Sequence, residues 1–244
     1  MALKVINEGK EILTDPCHFF ELNKFCSDQG VDLTFEWIQG QYWLHSDRPK
    51  ELPIGIEVDA TLKRHEEFFK KSSLQKELLA RAVGVKGAHR PTVVDLTAGL
   101  LGDALLLLSF GCEVIAVERN PVIRFLIQSA LLNSTHPKLK KFQFIEGSAL
   151  SVLETSPPSQ VAYFDPMFED TNDKASPRKE MRIFRQLLGQ DTDASEVFSK
   201  LKNLPFKRLV VKRPRHSISL GQHPDVEYIG KSTRYDVYFS HQND

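Results

Sequence analysis

Alternation of strand-like and helix-like segments is the feature that most constrains this fold. From about Val93 onward, short β-branched and aromatic runs alternate with apolar segments of helical spacing. The predicted strands are 92–96, 113–118, 142–147, 161–164 and 208–214, and the predicted helices are 103–110, 122–134, 178–189 and 195–203. Such alternation is typical of a parallel sheet covered on both faces. Two later runs, 226–230 and 234–240, have the spacing of a hairpin, so the sequence predicts five parallel strands closed by an antiparallel pair.

The first 62 residues do not follow this alternation. They contain both tryptophans, strand-like pieces at 32–40 and 41–45, and proline breaks at Pro49 and Pro53. We therefore expect a small α+β accessory domain at 1–62 and a larger domain at 63–244. A single helix over 64–84 is predicted to join the two parts.

Composition and cysteine usage restrict the function. Lysines plus arginines number 32 and equal aspartates plus glutamates, so a polyanionic partner would need local basic patches. The three cysteines are widely spread, which suits a reducing compartment better than a disulfide framework. The sequence has no apolar segment long enough for a signal peptide or a membrane span. These features predict a cytoplasmic protein without membrane contact.

The loop after the first strand of the alternating region suits a bound ligand. In 93-VVDLTAGLLGD-103 an acid ends the strand, and Gly99 and Gly102 frame the turn into a helix. Glycines there let backbone amides approach a ligand at the electropositive helix N-terminus, although a tight turn could also require them. The dinucleotide fingerprint G-x-G-x-x-G is absent, so a NAD-type site has weak support.

A carboxylate at the end of the next strand indicates a nucleoside. Glu118 follows Gly99 by 19 positions, near the spacing at which an acid reaches ribose hydroxyls. Taken alone, Glu118 could be an exposed glutamate paired with Arg119. Combined with the glycine loop, it favours a nucleoside site without a phosphate cradle. The sequence therefore predicts S-adenosylmethionine, which carries no phosphate.

The fourth strand ends in Asp165-Pro166-Met167-Phe168, which has the character of a substrate clamp. Ligands of open parallel sheets bind at the carboxyl ends of the strands. There Asp165 would accept a hydrogen bond from an amine, Pro166 would stiffen the turn and Phe168 would stack on a flat base. The alternative is a plain strand terminator, because proline removes a ladder donor and Asp-Pro begins turns.

Several blocks in one order make the sequence resemble a known family. They are 93-VVDLTAGLLGDA-104, 117-VERNPVI-123, 163-YFDPMF-168, 179-KEMRIFRQLLG-189 and 210-VVKRP-214. Together they resemble the RsmJ family of small-subunit (16S) ribosomal RNA guanine-N2 methyltransferases, over about residues 62–239. D-P-M-F is a variant of the D/N-P-P-F/Y signature of amine-directed methyltransferases. The resemblance implies a Rossmann-like class I SAM-dependent methyltransferase sheet with an antiparallel last strand, S-adenosylmethionine as cofactor, and 16S rRNA in the small ribosomal subunit as partner.

The resemblance also implies the site residues. The catalytic residues would be Asp165, Pro166 and Phe168. The cofactor residues would be Gly102 and Asp103 at the methionine end, Glu118 and Arg119 at the ribose and adenine, Ser148 and Ala149 at the adenine edge, and Asp165 beside the methyl group. One departure concerns the glycine loop. The family usually reads A-G-L-G-R-D, whereas this chain has 98-AGLLGD-103, so one glycine is displaced.

Cations follow the fifth strand at the rim of the expected site. Lys212, Arg213 and Arg215 would hold an RNA phosphate there, although charge runs are usually solvated faces. No histidine and cysteine pair has convincing zinc spacing, so we expect no metal. Two alternatives stay open. One is an enzyme of the same fold that acts on another nucleobase or a small molecule, and the other is a non-catalytic RNA-binding protein.

Overall fold

The structure, a computed structural model, describes residues 3–6, 16–45, 52–153, 160–166 and 193–240. In this part of the chain ten strands form two sheets. The small sheet contains β1 (Leu3–Ile6), β2 (Leu33–Ile38) and β3 (Gln41–Leu44). The large sheet contains β4 (Thr92–Asp95), β5 (Glu113–Glu118), β6 (Phe142–Glu146), β7 (Val161–Phe164), β8 (Arg208–Pro214), β9 (Val226–Ile229) and β10 (Thr233–Phe239).

The large sheet has the predicted topology. Its strand order is β6-β5-β4-β7-β8-β10-β9, and the neighbours from β6 to β8 pair in parallel. β10 is antiparallel to both β8 and β9, which confirms the antiparallel last strand. The chain runs outward from β4 to β6 and then returns to β7 on the other side of β4. Such a reversal opens a crevice at the carboxyl ends of the strands.

The helices follow the strands closely in sequence. They are α1 (Pro16–Gln29), α2 (Val58–Lys71), α3 (Leu78–Val83), α4 (Gly102–Ser109), α5 (Pro121–Leu132), α6 (Ala149–Leu153) and α7 (Ala194–Leu201). The helices predicted at 103–110, 122–134 and 195–203 correspond to α4, α5 and α7 within two residues at each end. The helix predicted at 178–189 lies outside the described residues. At the start of α5, the Asn120 side chain accepts hydrogen bonds from the amides of Val122 and Ile123, as its position before Pro121 predicts.

The prediction of one helix over 64–84 is wrong. α2 ends at Lys71 and α3 begins at Leu78, with a short 3-10 turn at Leu74–Lys76 between them. Ser72 has an extended backbone, and the hydroxyl of Ser73 accepts a hydrogen bond from the Gln75 amide. Serine side chains that bind nearby amides in this way compete with helix continuation. The serine pair therefore separates two helices that apolar spacing alone would join.

Apolar side chains cover both faces of the large sheet. Val93 belongs to a core that also includes the small sheet and α5, whereas its neighbour Val94 belongs to the core beneath α7. In the first core, aromatic contacts join the small sheet to α5, since the Phe35 and Tyr42 rings lie 4.9 and 4.8 Å from that of Phe125. The domain division at residue 62 stays a prediction. Within the described residues, none of the helices has both the length and the apolar character that crossing a membrane requires.

Candidate active site

A cleft of about 1180 Å³ opens where the parallel strands of the large sheet end. Its lining includes residues that follow β4, β5 and β7 and residues at the carboxyl end of β8. Small-molecule pockets usually measure about 300–1,000 Å³. The cleft therefore has room for a nucleoside-sized ligand and part of a second one.

The loop between β4 and α4 forms one wall of the cleft and contains the displaced glycine. Gly99 has a φ of 50°, and Leu101 has a φ of 62° although it is fully buried and carries a side chain. A left-handed conformation costs a residue other than glycine about 1–2 kcal/mol. Gly102 instead begins α4, and a Cβ placed on it would meet no atom within 4 Å. The loop thus leaves open space beside Gly102, where a ligand can approach the backbone.

Glu118 anchors this loop from the end of β5. Its Oε2 accepts a hydrogen bond from the Gly99 amide at 2.9 Å, and its Oε1 accepts one from the Asn120 amide at 2.8 Å. The side chain is buried, and this burial raises the pKa of Glu118 despite the backbone hydrogen bonds. A carboxylate oxygen has two lone pairs, so Glu118 can hold the loop and still accept hydroxyl donors. Contact with a ribose stays a prediction.

Three charged side chains meet at the ends of β7 and β8. The ammonium of Lys212 lies 2.7 Å from Oδ2 of Asp103 and 2.8 Å from Oδ2 of Asp165. Asp103 also accepts a hydrogen bond from the buried Tyr163 hydroxyl at 2.5 Å. The Asp165 amide donates to Thr97 Oγ1 at 2.7 Å. The structure thus brings Asp103 and Asp165 together, and it places Lys212 between two carboxylates inside the cleft.

Asp95 adds a third carboxyl group that the sequence analysis did not assign to the site. It ends β4, is 1% exposed, and accepts a hydrogen bond from the Thr97 amide at 3.1 Å. Burial first, and then the negative charge of Asp103, raise the pKa of Asp95 well above its ordinary value. Burial alone would lower the pKa of Lys212, but the carboxylates of Asp165 and Asp103 outweigh it and raise that pKa. Carboxyl groups outnumber the ammonium in this cluster, which suits a positively charged ligand.

The predicted adenine-side residues line the cleft at the other end. Arg119 forms an ion pair with Asp193 at 2.7 Å, which links the end of β5 to the start of α7. Ser148 and Ala149 lie at the start of α6, where the Ser148 hydroxyl accepts a hydrogen bond from the Ser151 amide at 3.1 Å. All three predicted residues therefore border the same cleft as Glu118.

The remaining predicted residues have different surroundings. Pro166 lines the cleft, whereas Phe168 lies outside the described residues. Arg213 is buried, lines the cleft and donates a hydrogen bond to the Ile218 carbonyl, and its contact with an RNA phosphate stays a prediction. Arg215 is exposed, and it donates to the Gly230 carbonyl at 3.2 Å.

Residues before the large sheet form a wall that the sequence analysis missed. Trp43, Gly55, Thr61 and Arg64 line the cleft opposite the sheet. A Cβ on Gly55 would approach the Trp43 ring to 2.6 Å, so close packing against the indole explains the glycine. The tryptophans in this part of the chain were a sequence signal for this wall, but their spacing does not show which surface they face. Within the described residues, no group of three histidine, cysteine, aspartate or glutamate side chains could hold a metal ion.

Comparisons with known proteins point to one class of enzyme. The SAM-dependent methyltransferase family model matches residues 21–240. The ribosomal RNA small subunit methyltransferase J of Thioalkalivibrio sulfidiphilus is 39% identical over 197 residues, which cover 77% of each protein. The protein of that name from Actinobacillus pleuropneumoniae serotype 5b is 37% identical over 204 residues, or 80% of each. A third, from Coxiella burnetii, is 43% identical over 169 residues, which are 67% of this chain and 66% of the relative.

A solved structure shows the same fold. The crystal structure of a SAM-dependent methyltransferase from Neisseria gonorrhoeae has a TM-score of 0.67 to this chain at 23% identity. The match covers 99% of this chain and 97% of that protein. Similarity therefore extends to the small N-terminal sheet as well as the large one.

Proposed function

Because this chain belongs to the SAM-dependent methyltransferase family, with ribosomal RNA small subunit methyltransferase J among its relatives, we propose that it methylates the exocyclic N2 of a guanine in 16S rRNA. The substrate would be presented in the small ribosomal subunit, in the cytoplasm. The observation that carries this proposal is the cluster of Asp103, Asp165 and Lys212 beside the glycine loop. It supports the proposal because Asp165 and Pro166 line a cleft with room for a nucleoside-sized ligand.

The cleft fits the cofactor in shape and in charge. S-adenosylmethionine supplies a methyl group on a positively charged sulfonium, and the carboxyl groups at the strand ends favour a positive charge. Glu118 would accept hydrogen bonds from the ribose hydroxyls, and Gly102 and Asp103 would hold the methionine end. Arg119, Ser148 and Ala149 would border the adenine.

The acceptor amine is positioned by the residues after β7. Asp165 accepts a hydrogen bond from the N2 amine and is placed to accept the proton that this nitrogen loses on methylation. Lys212 fixes Oδ2 of Asp165 by an ion pair at 2.8 Å and so orients the carboxylate. Pro166 limits the movement of the turn, and Phe168 stacks on the guanine. Rate acceleration comes mainly from this positioning, since the methyl donor is already activated.

Transfer of a radioactive methyl group from S-adenosylmethionine tests the proposal. Small ribosomal subunits from a strain that lacks the gene are the substrate, and large subunits and free guanosine are the matched controls. We expect label in 16S rRNA of the small subunit alone. Label in free guanosine would support an enzyme for small molecules, and cofactor binding without transfer to any of the three would support a non-catalytic RNA-binding protein.

A further inference from the structure

One flank of α2 runs outward from the active-site cleft. Thr61 and Arg64 line the cleft, and Arg64 donates a hydrogen bond to the Thr61 hydroxyl at 2.9 Å. Phe68 and Lys71 follow Arg64 by four and seven residues, a spacing that places them on the same side of the helix. Arg64, Phe68 and Lys71 are all exposed. We call these three side chains the α2 stripe.

The core-facing side of α2 is different, because its side chains contact α4 and the residue that follows it. Leu62 is fully buried, His65 Nδ1 lies 3.0 Å from the Ser109 hydroxyl, and the Phe69 ring lies 5.4 Å from that of Phe110. These contacts fix the helix against α4. Phe68 makes an edge contact with the Phe69 ring at 5.1 Å, yet it stays 52% exposed although it is a large apolar residue.

We propose that the α2 stripe binds the single-stranded RNA that flanks the target guanine. Arg64 and Lys71 contact phosphates on either side of Phe68, and Phe68 stacks on an unpaired base. Cations that alternate with an exposed aromatic ring are the combination that holds single strands, because every base has a face on which to stack. The α2 stripe is continuous with the cleft, so a strand that places one base there can lie along α2. This inference rests on the proposed function.

A competing explanation for the cations of α2 is that they stabilise the helix dipole, and this effect can be separated from RNA binding by experiment. Lys70 and Lys71 both lie in the last turn, where cations stabilise the helix dipole. Both are exposed, but Lys70 is seven residues from Lys63 and lies with it on a different face of α2. A dipole role predicts equal effects of removing Lys70 or Lys71. RNA binding by the α2 stripe predicts an effect of Lys71 alone.

Fluorescence anisotropy with a short labelled single-stranded RNA of mixed sequence, at a series of potassium chloride concentrations, measures both contributions. We expect Phe68→Ala to weaken binding about tenfold without changing the salt dependence. Arg64→Ala and Lys71→Ala should each reduce the slope of log affinity against log salt by about 0.7. The matched controls Lys63→Ala, Lys70→Ala and Phe20→Ala should bind as the wild type does. Phe20 is 72% exposed on α1 and tests whether any exposed ring contributes.

Parallel assays keep this inference separate from the proposed function. Phe68→Ala and Lys71→Ala should keep the wild-type melting temperature and affinity for S-adenosylmethionine, while their KM for small subunits rises. The wild type is first shown to methylate small subunits. If Phe68→Ala then binds RNA as tightly as Phe20→Ala does, the α2 stripe is not an RNA surface. The same conclusion follows if Lys71→Ala shows the same RNA affinity and salt dependence as Lys70→Ala. A wild type that neither binds RNA nor methylates small subunits would overturn the proposed function as well.

Discussion

Replacement of Lys212 by methionine should slow methyl transfer while leaving RNA binding intact. Methionine keeps an unbranched chain of similar length but removes the ammonium that joins Asp103 to Asp165. Without it, the two carboxylates repel each other and Asp165 loses the contact that orients it. Binding of RNA phosphates should be unaffected, because the Lys212 ammonium already forms ion pairs with two carboxylates in the cleft.

The size of the effect follows from the exposure of the cluster. Hydrogen bonds to charged groups contribute about 1.5–3 kcal/mol each when water does not replace them. The Lys212 side chain is 27% exposed, and those of Asp103 and Asp165 are 23% and 32% exposed, so water offsets part of the loss. A net cost of about 2 kcal/mol corresponds to a fall in kcat of about 30-fold. Lys212→Arg keeps the positive charge and should retain part of the activity.

Initial rates with small subunits, and RNA binding at several salt concentrations, give the two readouts. We expect a lower kcat for Lys212→Met with an unchanged salt slope. If this variant instead keeps the wild-type kcat and loses about one unit of salt slope, Lys212 contacts a phosphate and the positioning role is refuted.

The pKa of Lys212 is raised, so its contribution to stability is present below the ordinary lysine pKa of about 10.4 and is lost only as the pH rises through the higher folded value.

Four further substitutions test the carboxyl groups of the cleft. Glu118→Ala should weaken S-adenosylmethionine binding at least about tenfold in calorimetry, since the ribose loses a charged acceptor; equal affinity in a folded variant would exclude the ribose contact. Asp165→Asn should keep partial activity and Asp165→Ala almost none, because only asparagine retains an acceptor oxygen; full activity of a folded alanine variant would refute the clamp. The pKa of Asp95 is raised, so the wild type should lose stability as the pH rises from about 4 towards that folded pKa. Asp95→Asn stays neutral, so its melting temperature should not fall over this pH range. If the melting temperatures of the wild type and of Asp95→Asn fall equally as the pH rises, the raised pKa of Asp95 is contradicted.

The large sheet was predictable because its strands are buried on both faces. Residues such as Val93 and Val94 pack in opposite cores, and runs of that kind identify parallel strands without an alignment. The carboxyl ends of those strands then place Glu118 and Asp165 in one cleft. The break after Lys71 was missed because it depends on the hydroxyl of Ser73, a local contact that apolar periodicity does not record.

Contacts between distant segments account for what could not be predicted. Lys212 is separated from Asp103 by 109 positions, so its ion pairs follow from the strand order and not from any spacing in the sequence. Arg213, its neighbour, lines the same cleft but is buried. The Trp43 wall likewise depends on how the small sheet packs on α5. A run of cations at a strand end therefore does not show which of them reach solvent.

The identity of the methylated nucleoside tests most directly whether this protein methylates the N2 of guanine in 16S rRNA. Small ribosomal subunits from a strain that lacks the gene are treated with the purified protein and S-adenosylmethionine, and their 16S rRNA is digested to nucleosides for mass spectrometry. We expect N2-methylguanosine above the untreated level and no other new nucleoside. A gain of 1-methylguanosine, 7-methylguanosine or a methylated base other than guanine, with N2-methylguanosine unchanged, would contradict it.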